Sequence, residues 1–130
     1  MTWQTPKTNW RTTDAFTAED CTRIQHNLSV LAALARQMYT GVPTVPMPPV
    51  TAASVCTQAL LNRMEQNAAA LAAHTFDPGI PATKQWQANG ASPTAAELNR
   101  IEHTALLLYG VLTAQRQALP KLSFALGGGF

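Results

Sequence analysis

The sequence predicts an all-α fold: a three-helix bundle built from a repeated helix (Arg, then Ile or Met, then Glu or Gln), with extended N- and C-terminal arms. Three observations predict it: an internal repeat, an apolar seam at heptad spacing in each copy, and helix start and stop residues at matching places. In the repeat, Thr17-Ala-Glu-Asp-Cys-Thr-Arg-Ile-Gln-His-Asn27 aligns with Thr94-Ala-Ala-Glu-Leu-Asn-Arg-Ile-Glu-His-Thr104. A weaker copy, Ala59-Leu-Leu-Asn-Arg-Met-Glu-Gln-Asn67, lies between them, so the shared core begins at Arg23, Arg63 and Arg100.

The first helix is expected over 17–39. Its apolar residues Cys21, Ile24, Leu28, Leu31, Ala35 and Met38 are spaced alternately three and four apart, which lays one seam along a helix. Thr17 followed by Asp20 marks its start, and Gly41 with the prolines after it marks its end. The second helix is expected over 51–74, with Thr51 as its cap, Leu61, Met64, Ala68 and Leu71 as its seam, and Phe76-Asp-Pro-Gly79 as its stop. The third is expected over 93–118, with the seam Leu98, Ile101, Ala105, Leu108 and Leu112. Thr94 with Glu97 forms a capping box there, and Ser92-Pro93 is a rival start. Helices meeting along such seams cross at shallow angles, as bundles do.

These helices form one domain, 17–119, between an extended N-terminal arm, 1–16, and a C-terminal tail, 120–130. The arm carries Trp3, Trp10 and Phe16 among polar residues, and the Gly-rich tail carries Phe124 and Phe130. Gly41 to Val50 contains four prolines and reads as polyproline II. Ten such residues reach about 31 Å. That nearly returns the chain to the start of the first helix, so a parallel order stays open beside the antiparallel default. Residues 76–92 hold turn signals around Trp86.

The chain has 130 residues and a formal net charge of +2, too small to argue for nucleic acid or an anionic membrane surface. Charged residues make up 12%, about half the usual share, so much of the exterior reads as contact surface in an assembly. Cys21 and Cys56 have no CxxC spacing and suggest neither a zinc site nor a disulfide framework. The polar start, Met1 to Trp10, lacks the apolar run of a signal peptide, and the longest apolar run is too short for a membrane span. Synthesis in the cytoplasm is therefore expected.

Catalytic motifs are missing: there is no Ser-His-Asp set, P-loop, dinucleotide fingerprint or His-Glu-x-x-His. His26 and His103 occupy equivalent repeat positions, with Gln66 at the third; Glu65 and Glu102 sit one residue before Gln66 and His103, with Gln25 in the first repeat. A metal would require these side chains to converge, whereas His26 points away from the seam and reads as a flanking histidine. No catalytic, cofactor or metal residue is expected. The repeated arginines Arg23, Arg63 and Arg100 have two readings. They pair along their own helices, with Glu19 and Glu97 in reach, or they bridge neighbouring helices or subunits. Leu107, Tyr109 and Val111 add apolar faces to the third helix beyond its seam. With the arginines and the aromatics Trp3, Trp10, Phe16, Phe124 and Phe130, they form the candidate interface.

Lys7-Thr-Asn-Trp10, Asp14-Ala-Phe16, Arg23-Ile24 and Asn27-Leu28, then Glu97-Leu-Asn-Arg-Ile-Glu102 and Leu122-Ser-Phe124, together resemble small structural proteins of tailed bacteriophages and prophages of Gram-positive gut bacteria. The resemblance covers most of the chain and contains no catalytic motif. It departs from the family at Cys21-Thr22 and in the proline-rich linker. The resemblance implies a non-enzymatic virion component made in the host cytoplasm, at the tail end: baseplate, tail tip or fibre attachment. The implied partners are further copies of the chain, as a trimer or higher ring, and other virion proteins, with no nucleic acid, membrane or cofactor. The alternatives are a neck or head-decoration protein, and a small helical regulator of one host protein.

Overall fold

The computed structural model describes residues 2–49, 57–75, 77–88, 90 and 92–127, with 119–127 as helix backbone only. The described residues form three helices and no strand: α1 (Ala18–Arg36), α2 (Gln58–Ala73) and α3 (Ala95–Gly127). The expected seams are the core. Cys21, Ile24, Leu28, Leu31 and Ala35 of α1 are buried, as are Leu61, Met64, Ala68 and Leu71 of α2 and Leu98, Ile101, Ala105, Leu108 and Leu112 of α3. Val42 and Trp86 from the connecting segments complete the core cluster.

Helix starts follow local chemistry. Thr17 caps α1 in a capping box with Asp20, and Thr94 and Glu97 exchange the same pair of hydrogen bonds at the start of α3. Ser92-Pro93 is therefore not the start. The cap of α2 is Thr57, whose hydroxyl accepts from the Leu60 N–H; the expected cap Thr51 lies outside the described residues.

Helix ends depart from expectation. The first helix stops at Arg36, short of 39, and Met38 falls beyond it. α3 runs to Gly127, past the 118 expected, so the helical region extends through most of the segment assigned to the tail. Leu119, Leu122 and Leu126 continue the three-four spacing, which keeps helix favourable there. Pro120 removes one backbone hydrogen bond without ending the helix.

The three helices run parallel, unlike the antiparallel default. Arg23 bonds Glu102, and fourteen to sixteen residues further on, just past the end of α1, Gln37 and Tyr39 bond Arg116 and Gln115 of α3, so both helices ascend together. The first linker leaves the top of α1, passes Asn67 at Val45 and Arg63 at Pro46, and reaches Gln25 at Pro48. It thus descends α1 and α2 at once, and α2 ascends again beside α1. Gly41 (φ 70°) and Gly79 (φ 83°) lie where the chain turns back after α1 and α2, in a backbone region that favours glycine. At the second, the Asp77 carboxylate accepts from the Gly79 and Ile80 N–H groups.

The capping carboxylates give α1 and α3 an acid-sensitive start. Burial would raise the Asp20 pKa, but hydrogen bonds from Thr17 and Arg23 outweigh it and hold the carboxyl below its usual value of 3.8. A lowered folded-state pKa contributes stability above the unfolded value that is lost as pH falls through the folded one. The Asp20→Asn variant should therefore lose stability near neutral pH and show a shallower fall below about pH 4 than the parent. Urea titrations across that range check it, and parallel acid limbs would contradict it.

Candidate functional site

Among the described residues, the buried polar side chains Gln25, Asn27, Glu65, Asn67 and Glu102 each hold an extended segment of the same chain. In one groove the N-terminal arm descends between α1 and α3. Asn27 brackets Gln4, accepting from its N–H and donating to its carbonyl at 2.9 and 2.7 Å. Asn99 does the same for Trp10, at 2.7 and 3.3 Å. Glu102, 1% exposed, is the hub. Its Oε1 accepts from the Lys7 N–H and Arg23 Nε, and its Oε2 from the Trp10 indole N–H and Arg23 Nη2. Arg23 also reaches Asp20 at 2.8 Å. Burial would lower the Arg23 pKa, but its bonds to Glu102 and Asp20 raise it, so the guanidinium stays charged. The Lys7 ammonium sits 4.1 Å above the Trp10 ring.

The groove between α2 and α3 contains the same set. Asn62 brackets Trp86, at 2.7 and 3.0 Å. Glu65 accepts from the Lys84 N–H, the Trp86 indole N–H and both terminal nitrogens of Arg100. The Lys84 ammonium lies 4.2 Å above the Trp86 ring and also pairs with Glu97. Arg-carboxylate forks of this kind are rigid and directional, and so suit a buried junction between elements.

Arg23 and Arg100 bridge helices, to Glu102 and Glu65, and neither pairs with Glu19 or Glu97; Arg23 also pairs along its own helix, with Asp20. Arg63 instead donates to the Pro46 carbonyl of the linker at 2.6 Å. Trp10 is 5% exposed and held by its own chain, with Phe16 packed edge-on against it. Trp3 stacks on Tyr109, ring centroids 4.0 Å apart. The arm aromatics thus find partners within the chain, which places them in the fold. Leu107 and Val111 are partly buried, while Leu106 is 40% exposed. Phe124 lies in the α3 backbone with its side chain outside the described residues, as is Phe130 altogether.

The residues weighed as a metal set do not meet. Glu65 and Glu102 occupy different grooves, each committed to an arginine, while the His26 ring meets the Thr2 carbonyl and His103 is exposed. Among the described residues no group of three or more His, Cys, Asp or Glu is placed to hold a metal ion. Among them also, no helix is long and apolar enough to cross a membrane. Cys21 is fully buried in the core, and Cys56 lies outside the described residues.

Sequence reasoning missed the asparagines and Trp86. The signal was present: Asn62 and Asn99 precede Arg63 and Arg100 by one residue, Glu65 and Glu102 follow by two, and a Lys-Trp pair precedes Arg23 and Arg100 by about one linker. It emerges when the repeat is compared across helix and preceding segment together. Compared with known proteins, the chain matches no family model, no curated protein and no solved structure.

Proposed function

We propose that this chain is a non-enzymatic structural component of a bacteriophage virion, at the tail end, acting as an assembly scaffold that contacts copies of itself and other virion proteins. The observation that carries the scaffold reading is the use of its buried ionisable groups. Glu65, Glu102, Arg23 and Arg100 are spent in fixing one segment of chain against another. Groups so committed build a rigid body. The virion assignment rests on the sequence resemblance.

Two features favour self-association. Each helix together with the extended segment before it forms a unit, and the three units stand in parallel at matched heights, an arrangement compatible with a threefold-symmetric neighbour. α3 also continues from Gln115, level with the end of α1, to Gly127, a projection of about 18 Å. Its sequence there repeats leucine at heptad spacing, the pattern that pairs parallel helices.

Sedimentation of the full chain against a chain ending at Ala118, with mass spectrometry of purified virions, tests the proposal. The full chain is expected to form a trimer or larger ring and to be present in particles, and the shortened chain to stay folded but monomeric. A monomeric full chain that is absent from virions overturns it. Deleting residues 1–12 is a poor probe of assembly, because it removes Trp10 from the fold itself.

A further inference from the structure

We infer that the first unit, residues 2–36, is an exchangeable element. It docks on α2 and α3 of a second copy of this chain through the contacts that it makes within its own bundle, giving a reciprocal dimer of two complete bundles. The inference stands apart from the virion reading and from the projecting end of α3. It is carried by the cyclic order of the grooves. α2 offers Asn62 and Glu65 to Trp86 and Arg100 of the third unit. α3 offers Asn99 and Glu102 to Trp10 and Arg23 of the first unit. The second and third units are consecutive in the chain, whereas α3 and the first unit are not: only residues 37–57 tie the first unit to the rest. α3 therefore holds the first unit by side chains alone, and every copy presents the same set.

The tie contains a hinge. α1 ends at Arg36, and the chain turns back at Gly41, whose φ of 70° lies in the left-handed region. Before the turn, Gln37 and Tyr39 are bonded to Arg116 and Gln115 of α3. After it, Asn67 brackets Val45 at 2.7 and 2.9 Å and Arg63 holds Pro46, so that stretch belongs with α2. Among the described residues no backbone hydrogen bond closes the turn itself, whereas the Asp77 carboxylate fixes the turn at Gly79.

From Tyr39 to Val45 the extended chain spans about 20 Å, about twice the spacing of packed helices. It therefore reaches from one bundle to another lying beside it. Pro43 favours the extended backbone that this needs. Outside residues 40–44 the exchanged bundles repeat the contacts of the single one, including Gln25 to the Pro48 carbonyl. The opposing term is the packing of Val42, the one core side chain within the turn. Exchange of this kind is a low-cost route to dimers because it needs no new interface, and its extent rises with protein concentration.

Two charge-reversed full-length chains, Arg23→Glu and Glu102→Arg, test this. Alone, each places like charges in the buried joint and should lose its cooperative melt. Unfolded in urea and refolded together, the two should form a 1:1 complex that melts cooperatively. In that dimer one bundle contains neither substitution, and the other contains both, with opposite charges facing each other again. Association through the end of α3 repairs neither joint, so rescue is specific to exchange. A second substitution locates the hinge. Open space surrounds both Gly41 and Gly79, so a side chain there meets only the backbone preference. Gly41→Val, strained in the compact turn but not in an extended connection, should raise the yield of rescued complex at least threefold when both chains carry it. Gly79→Val should not raise it. The exchange is overturned by co-refolded chains that melt no higher than either alone. The assignment of the first unit is overturned by a yield that Gly41→Val fails to raise above that with Gly79→Val.

Discussion

Glu102→Ala is expected to destabilise the protein by about 3–5 kcal/mol, the usual cost of removing one member of a buried ion pair. Four donors lose their acceptor together: two nitrogens of Arg23, the Lys7 amide and the Trp10 indole. Arg23 keeps Asp20, which limits the loss on that side. The arm loses more, because the indole N–H and the Lys7 amide are both fixed by this carboxylate. Glu102→Gln should also destabilise, although it conserves shape, because each carboxylate oxygen accepts two hydrogen bonds and the amide would turn an N–H donor toward donors. The double variant Arg23→Met with Glu102→Met should be less harmful than the sum of its parts, since removing both charges avoids leaving either one buried alone. Urea denaturation of the set measures this. Wild-type stability in Glu102→Ala would show that the hub carries no net stabilisation.

The same reasoning ranks the three arginines. Arg23 and Arg100 face carboxylates that are 1% and 6% exposed at the side chain, where screening by solvent is weak. Arg63 faces a backbone carbonyl at an exposed site, and its loss should cost far less.

The core was legible in the sequence because burial imposes a period. Every seam residue from Cys21 to Ala35, from Leu61 to Leu71 and from Leu98 to Leu112 is buried, and the caps at Thr17 and Thr94 followed from the acid three residues on. Helix direction was not legible. Parallel order depends on where the linkers lie, and segments bound through the side-chain amides of Asn27, Asn62, Asn67 and Asn99 leave no periodic trace. Trp10 and Trp86 look alike in sequence to aromatics of a free arm or a turn. What makes them core residues is a glutamate 92 and 21 positions away in the chain. The end of α3 differs from the expected 118 for a related reason: Pro120 is a strong local stop signal, yet the leucine spacing continues past it to Leu126.

Leu108→Asp is expected to leave the protein largely unfolded at 25 °C. Leu108 is fully buried at the middle of the α3 seam, in the cluster that includes Leu31, Met64 and Leu71 from the other two helices. Two costs combine there. Truncating a buried leucine forfeits about 2–5 kcal/mol of transfer and packing energy. The introduced carboxylate would have no positioned partner among these apolar side chains, so it must either remain charged in a poor solvent or take up a proton, at a further cost of several kcal/mol. A domain of this size holds about 5–15 kcal/mol in total, so the sum consumes most or all of it. Leu106→Asp is the control, two residues away on the same helix and 40% exposed. It should change stability by about 0.5 kcal/mol or less, as exposed substitutions usually do. Circular dichroism melts of the two variants read the difference directly. A cooperative, near-native melt for Leu108→Asp together with a collapse for Leu106→Asp would mean that α3 presents a different face to the bundle.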